Sequence, residues 1–140
     1  MVNNTDIIEV IKLYRKFSKY DSYTDKEIAK SIIPSLSLNQ YKIFKDDYGD
    51  IYAFTNWAYV NKETELHFLK TGIIKRWNDG DIMLHVDFVA TKKIKKIMKW
   101  LKDNAVKSMG LNKKIHWIRL NNNNKIRTIM KQKTKDSWSW

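Results

Sequence analysis

His85 and Asp87 stand two residues apart in the run Met83-Leu84-His85-Val86-Asp87-Phe88-Val89. That run reads as a strand, so the two side chains project from one face. An imidazole next to a carboxylate is a proton acceptor with its orienter, suited to deprotonating a nucleophile near neutral pH. The same pair also suits a packed histidine and a structural aspartate. The other histidines, His67 and His116, have no partner at metal-ligand spacing, and the chain has no cysteine. No metal is expected. The four glycines, Gly49, Gly72, Gly80 and Gly110, are isolated. No glycine-rich phosphate cradle exists and no bound cofactor is expected.

The second chemical feature is charge. The net charge is +12. Residues 1–91 hold 12 Lys/Arg and 13 Asp/Glu, whereas residues 92–140 hold 15 and 2. The whole excess lies in the last third. Lys92, Lys93, Lys95, Lys96, Lys99 and Lys102 form one face of a predicted helix from Lys92 to about Ser108. Ile94, Ile97, Met98, Leu101 and Ala105 form its apolar stripe. Lys92, Lys93, Lys95, Lys96 and Lys99 are the candidate partner-binding residues. Nucleic acid, an anionic membrane surface or an acidic protein would all suit them. A merely solvated face would look the same. Of the six tryptophans, most read as core or rim, while Trp138 and Trp140 stand out in a polar tail.

These residues need a frame. Ile7, Val10, Ile11, Tyr14 and Phe17 recur at helical spacing. Thr24-Asp25-Lys26-Glu27 is a capping box for a second helix, expected to stop before Pro34. Tyr41–Lys45 and Ile51–Tyr59 read as strands joined by the Asp46–Asp50 turn. Asn61 caps a short helix to Leu69, and Trp77-Asn78-Asp79-Gly80-Asp81 is a turn. After the strand at Met83–Val89 and the basic helix ended by Gly110, Ile115–Leu120 and Lys125–Met130 form a hairpin across Asn121–Asn124. The order α α β β α β α β β predicts one α+β domain over residues 1–140 with a mixed, mostly antiparallel sheet and helices on both faces. No apolar run approaches the ~18 residues of a membrane span. Met1–Lys12 is polar and does not read as a secretory signal. A soluble, cytoplasmic protein is expected.

From Pro34 to Ala90 the chain resembles the RTX toxin-activating lysine acyltransferases. The landmarks run in order: Pro34, Asn39-Gln40-Tyr41, Asp47-Tyr48-Gly49, Trp57-Ala58, Glu63 and Glu65, Trp77-Asn78-Asp79-Gly80-Asp81, and Val86-Asp87-Phe88-Val89-Ala90. Ile118-Arg119-Leu120 and Lys125-Ile126-Arg127 look like that family's final hairpin. The likeness covers roughly residues 15–133. It implies a GNAT-like fold and transfer of a fatty acyl group from acyl carrier protein to a protein lysine. It also implies a catalytic pair of an N-terminal His with the Asp matched by Asp87. The aspartate carries over, but the histidine does not. Its position falls at or near Tyr20, and residues 1–66 contain no histidine. Thr91 replaces the proline that normally follows the Ala. No Gln/Arg-x-x-Gly-x-Gly cradle for acyl-CoA is present, in keeping with a carrier-protein donor.

Two functions follow from the resemblance. One is a protein-lysine acyltransferase whose base is rebuilt, with Asp87, His85 and Tyr20 as the catalytic candidates. Its partners would be acyl carrier protein, which is strongly acidic, and a protein substrate. The other is an inactive binding or structural protein, for example phage- or virion-associated, whose basic face holds nucleic acid or an acidic partner in a larger assembly. A homo-oligomer is compatible with either. A free-standing nucleic-acid-binding domain ranks below both, since no recognised motif is present.

Overall fold

The computed structural model describes residues 4–110, 114–120 and 126–133. Among the described residues, four α-helices and five strands run in the order α1 (Asn4–Tyr14), α2 (Asp25–Ser37), β1 (Tyr41–Lys45), β2 (Ile51–Val60), α3 (Lys62–Thr71), β3 (Ile82–Ala90), α4 (Ile94–Met109), β4 (Lys114–Leu120) and β5 (Ile126–Lys133). The strands form one five-stranded sheet in the order β1-β2-β3-β4-β5. The pairs β1/β2 and β4/β5 are antiparallel, and β3/β4 is parallel. A parallel pair needs a crossover, and α4 supplies it. The chain is therefore α+β with a mixed sheet, the class read from the sequence. No helix among the described residues is long and apolar enough to cross a membrane. The Asn121–Asn124 turn and the Trp138/Trp140 tail lie outside the described residues.

The described residues pack as two compact units, one within 4–56 and 87–92, the other within 57–86 and 93–133. In the first, Val10, Leu13 and Tyr14 of α1 pack with Ile28 and Ile32 of α2, Phe54 of β2 and Val89 of β3. The Thr24 hydroxyl accepts from the Glu27 amide while the Glu27 carboxylate accepts from the Thr24 amide, so the capping box is complete. Contrary to expectation, α2 continues through Pro34 to Ser37. Proline forfeits a single bond there, to the carbonyl of the exposed Lys30, and the helix ends within a turn. Ser35 and Ser37 donate to the carbonyls of Ile32 and Ile33, and the Leu38 amide donates to the Pro34 carbonyl.

In the second unit, Met83 of β3 packs with Trp57, Ala105 and Ile115, while Leu84 packs with Ala58, Val60 and Phe68. Adjacent strand residues point to opposite faces. Hence α4, which carries Ala105, and α3, which carries Phe68, lie on opposite faces of β3. Gly80 brings its turn against β2. A Cβ there would stand 2.2 Å from the Val60 carbonyl carbon. The Asp79 carboxylate then accepts from the Asn61 amide and the Thr64 hydroxyl, which pins the start of α3.

The basic helix departs from its expected phase. It begins at Ile94 because Lys93 takes a left-handed backbone conformation (φ 59°). Ile94, expected on the apolar stripe, is 55% exposed, and Lys102, expected on the polar face, is only 3% exposed. The buried stripe is Ile97, Leu101, Lys102 and Ala105. Ile97, Leu101 and Ala105 keep the expected stripe, Ile94 is left outside at the first turn, and the long aliphatic stem of Lys102 is buried at the stripe's edge.

Candidate active site

Asp87 sits on β3 facing the aromatic hydroxyls of the N-terminal segment. The Tyr14 hydroxyl donates to its Oδ2 at 2.7 Å. Tyr20, on the short 3-10 turn Ser18–Tyr20 that follows α1, brings a second hydroxyl toward that carboxylate. The Tyr14 and Tyr20 rings lie 4.7 Å apart. The backbone of Asp87 is fixed as firmly as its carboxyl. Its amide donates to Asn56 Oδ1 at 2.9 Å, and its carbonyl accepts from the Thr55 hydroxyl at 2.9 Å. Asn56 has no exposed surface, and its amide nitrogen donates to the Ser31 carbonyl and the Ser35 hydroxyl. One buried amide thus ties Asp87 to α2.

Burial pushes the Asp87 carboxyl above the ordinary carboxylate range, opposed by the hydrogen bond from Tyr14, the positive charge of Lys19 and the hydrogen bond from Tyr20. Burial, followed by the nearby Asp87 charge, also raises both phenols, Tyr14 and Tyr20, well above their usual value. Both therefore stay protonated at neutral pH and act as donors. The arrangement is a carboxylate held by the Tyr14 hydroxyl with the Tyr20 phenol close by, able to accept a proton and to orient a polar substrate.

His85 belongs to the second unit. It is 5% exposed, with its ring 6.3 Å from that of Trp57. Burial pushes its pKa down to about 3, so it is neutral at pH 7. Among the helix-α4 lysines, Lys93, Lys95, Lys96 and Lys99 are exposed. Lys92 lies just before the helix and reaches Asp46 Oδ2 at 3.4 Å. His116, which has no partner within its own segment, contacts the Glu65 carboxylate through Nδ1, and both are buried. No group of three or more metal-ligating side chains occurs among the described residues.

The sequence alone did not single out Tyr14, Thr55, Asn56 or the Glu65–His116 contact. Tyr14 reads as one more apolar helix position, and its hydroxyl's role depends on a strand 73 residues away. Thr55-Asn56 did carry a signal: two adjacent polar residues interrupt the otherwise apolar run of β2, where every residue from Tyr52 to Ala58 is buried. Buried polar side chains need partners.

Residues 2–133 match the family model described as the RTX toxin acyltransferase family. The chain belongs to that family. It is 28% identical over 92 residues to the leukotoxin-activating lysine-acyltransferase LktC serotype T3 of Mannheimia haemolytica, covering 63% of this chain and 54% of the relative. It is 27% identical over 93 residues to the RTX-I toxin-activating lysine-acyltransferase ApxIC of Actinobacillus pleuropneumoniae, covering 64% and 54%. A match to the serotype A11 leukotoxin activator of M. haemolytica is 32% identical over 66 residues, covering 45% and 39%. The chain spans about half the length of the curated relatives it matches. In this member of the RTX toxin acyltransferase family, the N-terminal residues beside Asp87 are the phenols Tyr14 and Tyr20.

Proposed function

We propose that this chain is a protein-lysine acyltransferase in which Asp87 takes the proton that an imidazole would otherwise accept. The observation that carries this reading is the carboxylate of Asp87, anchored through Asn56 and Thr55 and held under Tyr14 and Tyr20. In the reaction, a substrate lysine loses a proton to Asp87 and attacks the thioester carbonyl of a fatty acyl group on acyl carrier protein. The amide C–N bond forms, the C–S bond breaks, and the departing thiolate is reprotonated. A carboxylate raised by burial is a better base than an ordinary one. His85, neutral and packed beside Trp57, has a structural role in this scheme. The exposed Lys93, Lys95, Lys96 and Lys99 would receive the acidic carrier electrostatically.

A second reading keeps the fold and drops the chemistry: a binding or structural protein whose basic helix holds an acidic partner or nucleic acid. Tyr20 in place of the histidine favours it, because a phenol raised by burial does not serve as a base at pH 7.

The test is acyl transfer from radiolabelled acyl–acyl carrier protein to protein lysines in host lysate. Label that disappears in Asp87→Asn and persists in His85→Gln supports the carboxylate mechanism. A folded protein that transfers no label sinks it and leaves the binding reading. Steeply salt-dependent DNA binding would then assign the basic helix to nucleic acid.

A further inference from the structure

Helix α3 carries a second charged surface that the charge count along the sequence hides. Its inward face is Thr64, Glu65 and Phe68, which are buried or packed on the core. Its outward face is Glu63, Leu66, His67 and Lys70, spaced as neighbours on a helix. These residues line a cavity of about 250 Å³ completed by Lys75 and Arg76. Three cations thus face one carboxylate. Lys70 and Lys75 form no ion pair with any described residue. Arg76 lies 3.8 Å from Asp79, but that carboxylate is already engaged by Asn61 and Thr64.

Two aliphatic side chains of this segment are exposed: Leu66, which lines the cavity, at 49%, and Ile73, which lies between Lys70 and Lys75 in the sequence, at 61%. Local structure holds Ile73 outward. Gly72 ends the helix in the left-handed conformation (φ 73°), and its amide donates to the Phe68 carbonyl. The Thr71 hydroxyl donates to the His67 carbonyl and accepts from the Ile73 amide. The next residue, Ile74, turns in and packs with Phe68 and Trp77. Exposed apolar side chains in the same segment as Lys70 and Lys75, which have no ion pair among the described residues, suit a partner that is apolar and acidic at once. The cavity is smaller than the roughly 300–1,000 Å³ of small-molecule sites, so it fits an inserted side chain better than a free ligand.

We infer that the outer face of α3 is a docking surface for an acidic amphipathic helix of a partner protein. Aliphatic side chains of that helix pack on Leu66 and Ile73, and its carboxylates meet Lys70, Lys75 and Arg76. The surface is independent of acyl transfer, and its test does not involve catalysis. The probe is a synthetic helical peptide of about 15 residues, roughly four turns, with leucine on one face and glutamate on the other. Binding to the full chain is measured by calorimetry, beside a control peptide with every leucine replaced by serine, and beside inorganic phosphate.

The leucine peptide is expected to bind. Leu66→Ser/Ile73→Ser should weaken it about tenfold or more, since two buried aliphatic contacts are lost. Lys70→Glu/Lys75→Glu should weaken it as well, while the same charge change on α2, Lys26→Glu/Lys30→Glu, should leave it within about twofold. All of these residues lie on the surface, and circular dichroism checks that each variant is folded. Equal affinity for the serine peptide, equal loss in the α2 variant, or binding of phosphate but not peptide would each overturn the inference.

Discussion

Lowering the pH from 7 to 5 should cost the native state about 2 kcal/mol through one side chain, His85. An imidazole in the unfolded chain titrates near 6.5, whereas burial in the native protein pushes His85 down to about 3. Between those values the unfolded chain binds a proton that the native state does not. Stability from this group is therefore fully present above about pH 6.5 and is lost as the pH falls toward 3. Each pH unit inside the window is worth about 1.4 kcal/mol, so the drop to pH 5 costs about 2 kcal/mol. Asp87 acts in the opposite sense, because a raised carboxyl binds its proton more tightly in the native state. A comparison of two proteins cancels that term. Urea unfolding of the wild type and of His85→Gln at pH 7, 6 and 5 is the assay. The wild type should lose about 2 kcal/mol more than the variant between pH 7 and 5. Stability curves that run parallel would refute the reasoning, since His85 would then take up its proton in the native state as readily as in the unfolded one.

Asp87→Asn should abolish acyl transfer while leaving stability at neutral pH equal or higher. Ionising this carboxyl costs the native state stability that falls away as pH rises through the raised value, and the amide avoids that cost; transfer assays beside thermal melts check it. Asn56→Ala should destabilise the protein by about 2 kcal/mol in urea titrations, because it leaves the Asp87 amide and the Ser31 carbonyl without their partner. If Asn56 positions Asp87, transfer by folded Asn56→Ala should fall as well. Gly80→Ala should cost about 3 kcal/mol in the same titration, since the new methyl meets backbone atoms of Val60 and Asn61 that cannot step aside; a change under about 0.5 kcal/mol would mean that the turn does not hold this close approach.

Local order was legible from residue types. The capping box at Thr24, the Asp46–Asp50 turn and the α3 cap at Asn61 are set by bonds between near neighbours, so they appear where the pattern puts them. Family membership was legible for the same reason, as landmarks in order along one chain. Where a nearby rule met a distant packing surface, packing prevailed. Proline at position 34 does not stop α2, and α4 buries Lys102 and exposes Ile94. A helix's buried arc follows the surface it meets, which a periodic pattern locates only to within a residue or two.

The candidate site divides along the same line. The sequence by itself supplied Asp87, the absence of histidine from residues 1–66, and a position at or near Tyr20 where the resemblance puts the family's histidine. Only the tertiary structure decided what surrounds that carboxylate: Tyr14 and Tyr20 as donors, Asn56 and Thr55 as backbone anchors, and His85 buried and neutral beside Trp57. The reason is physical. Residue identity fixes which groups can donate or accept a proton, but burial and neighbours tens of residues away set their pKa values and their partners.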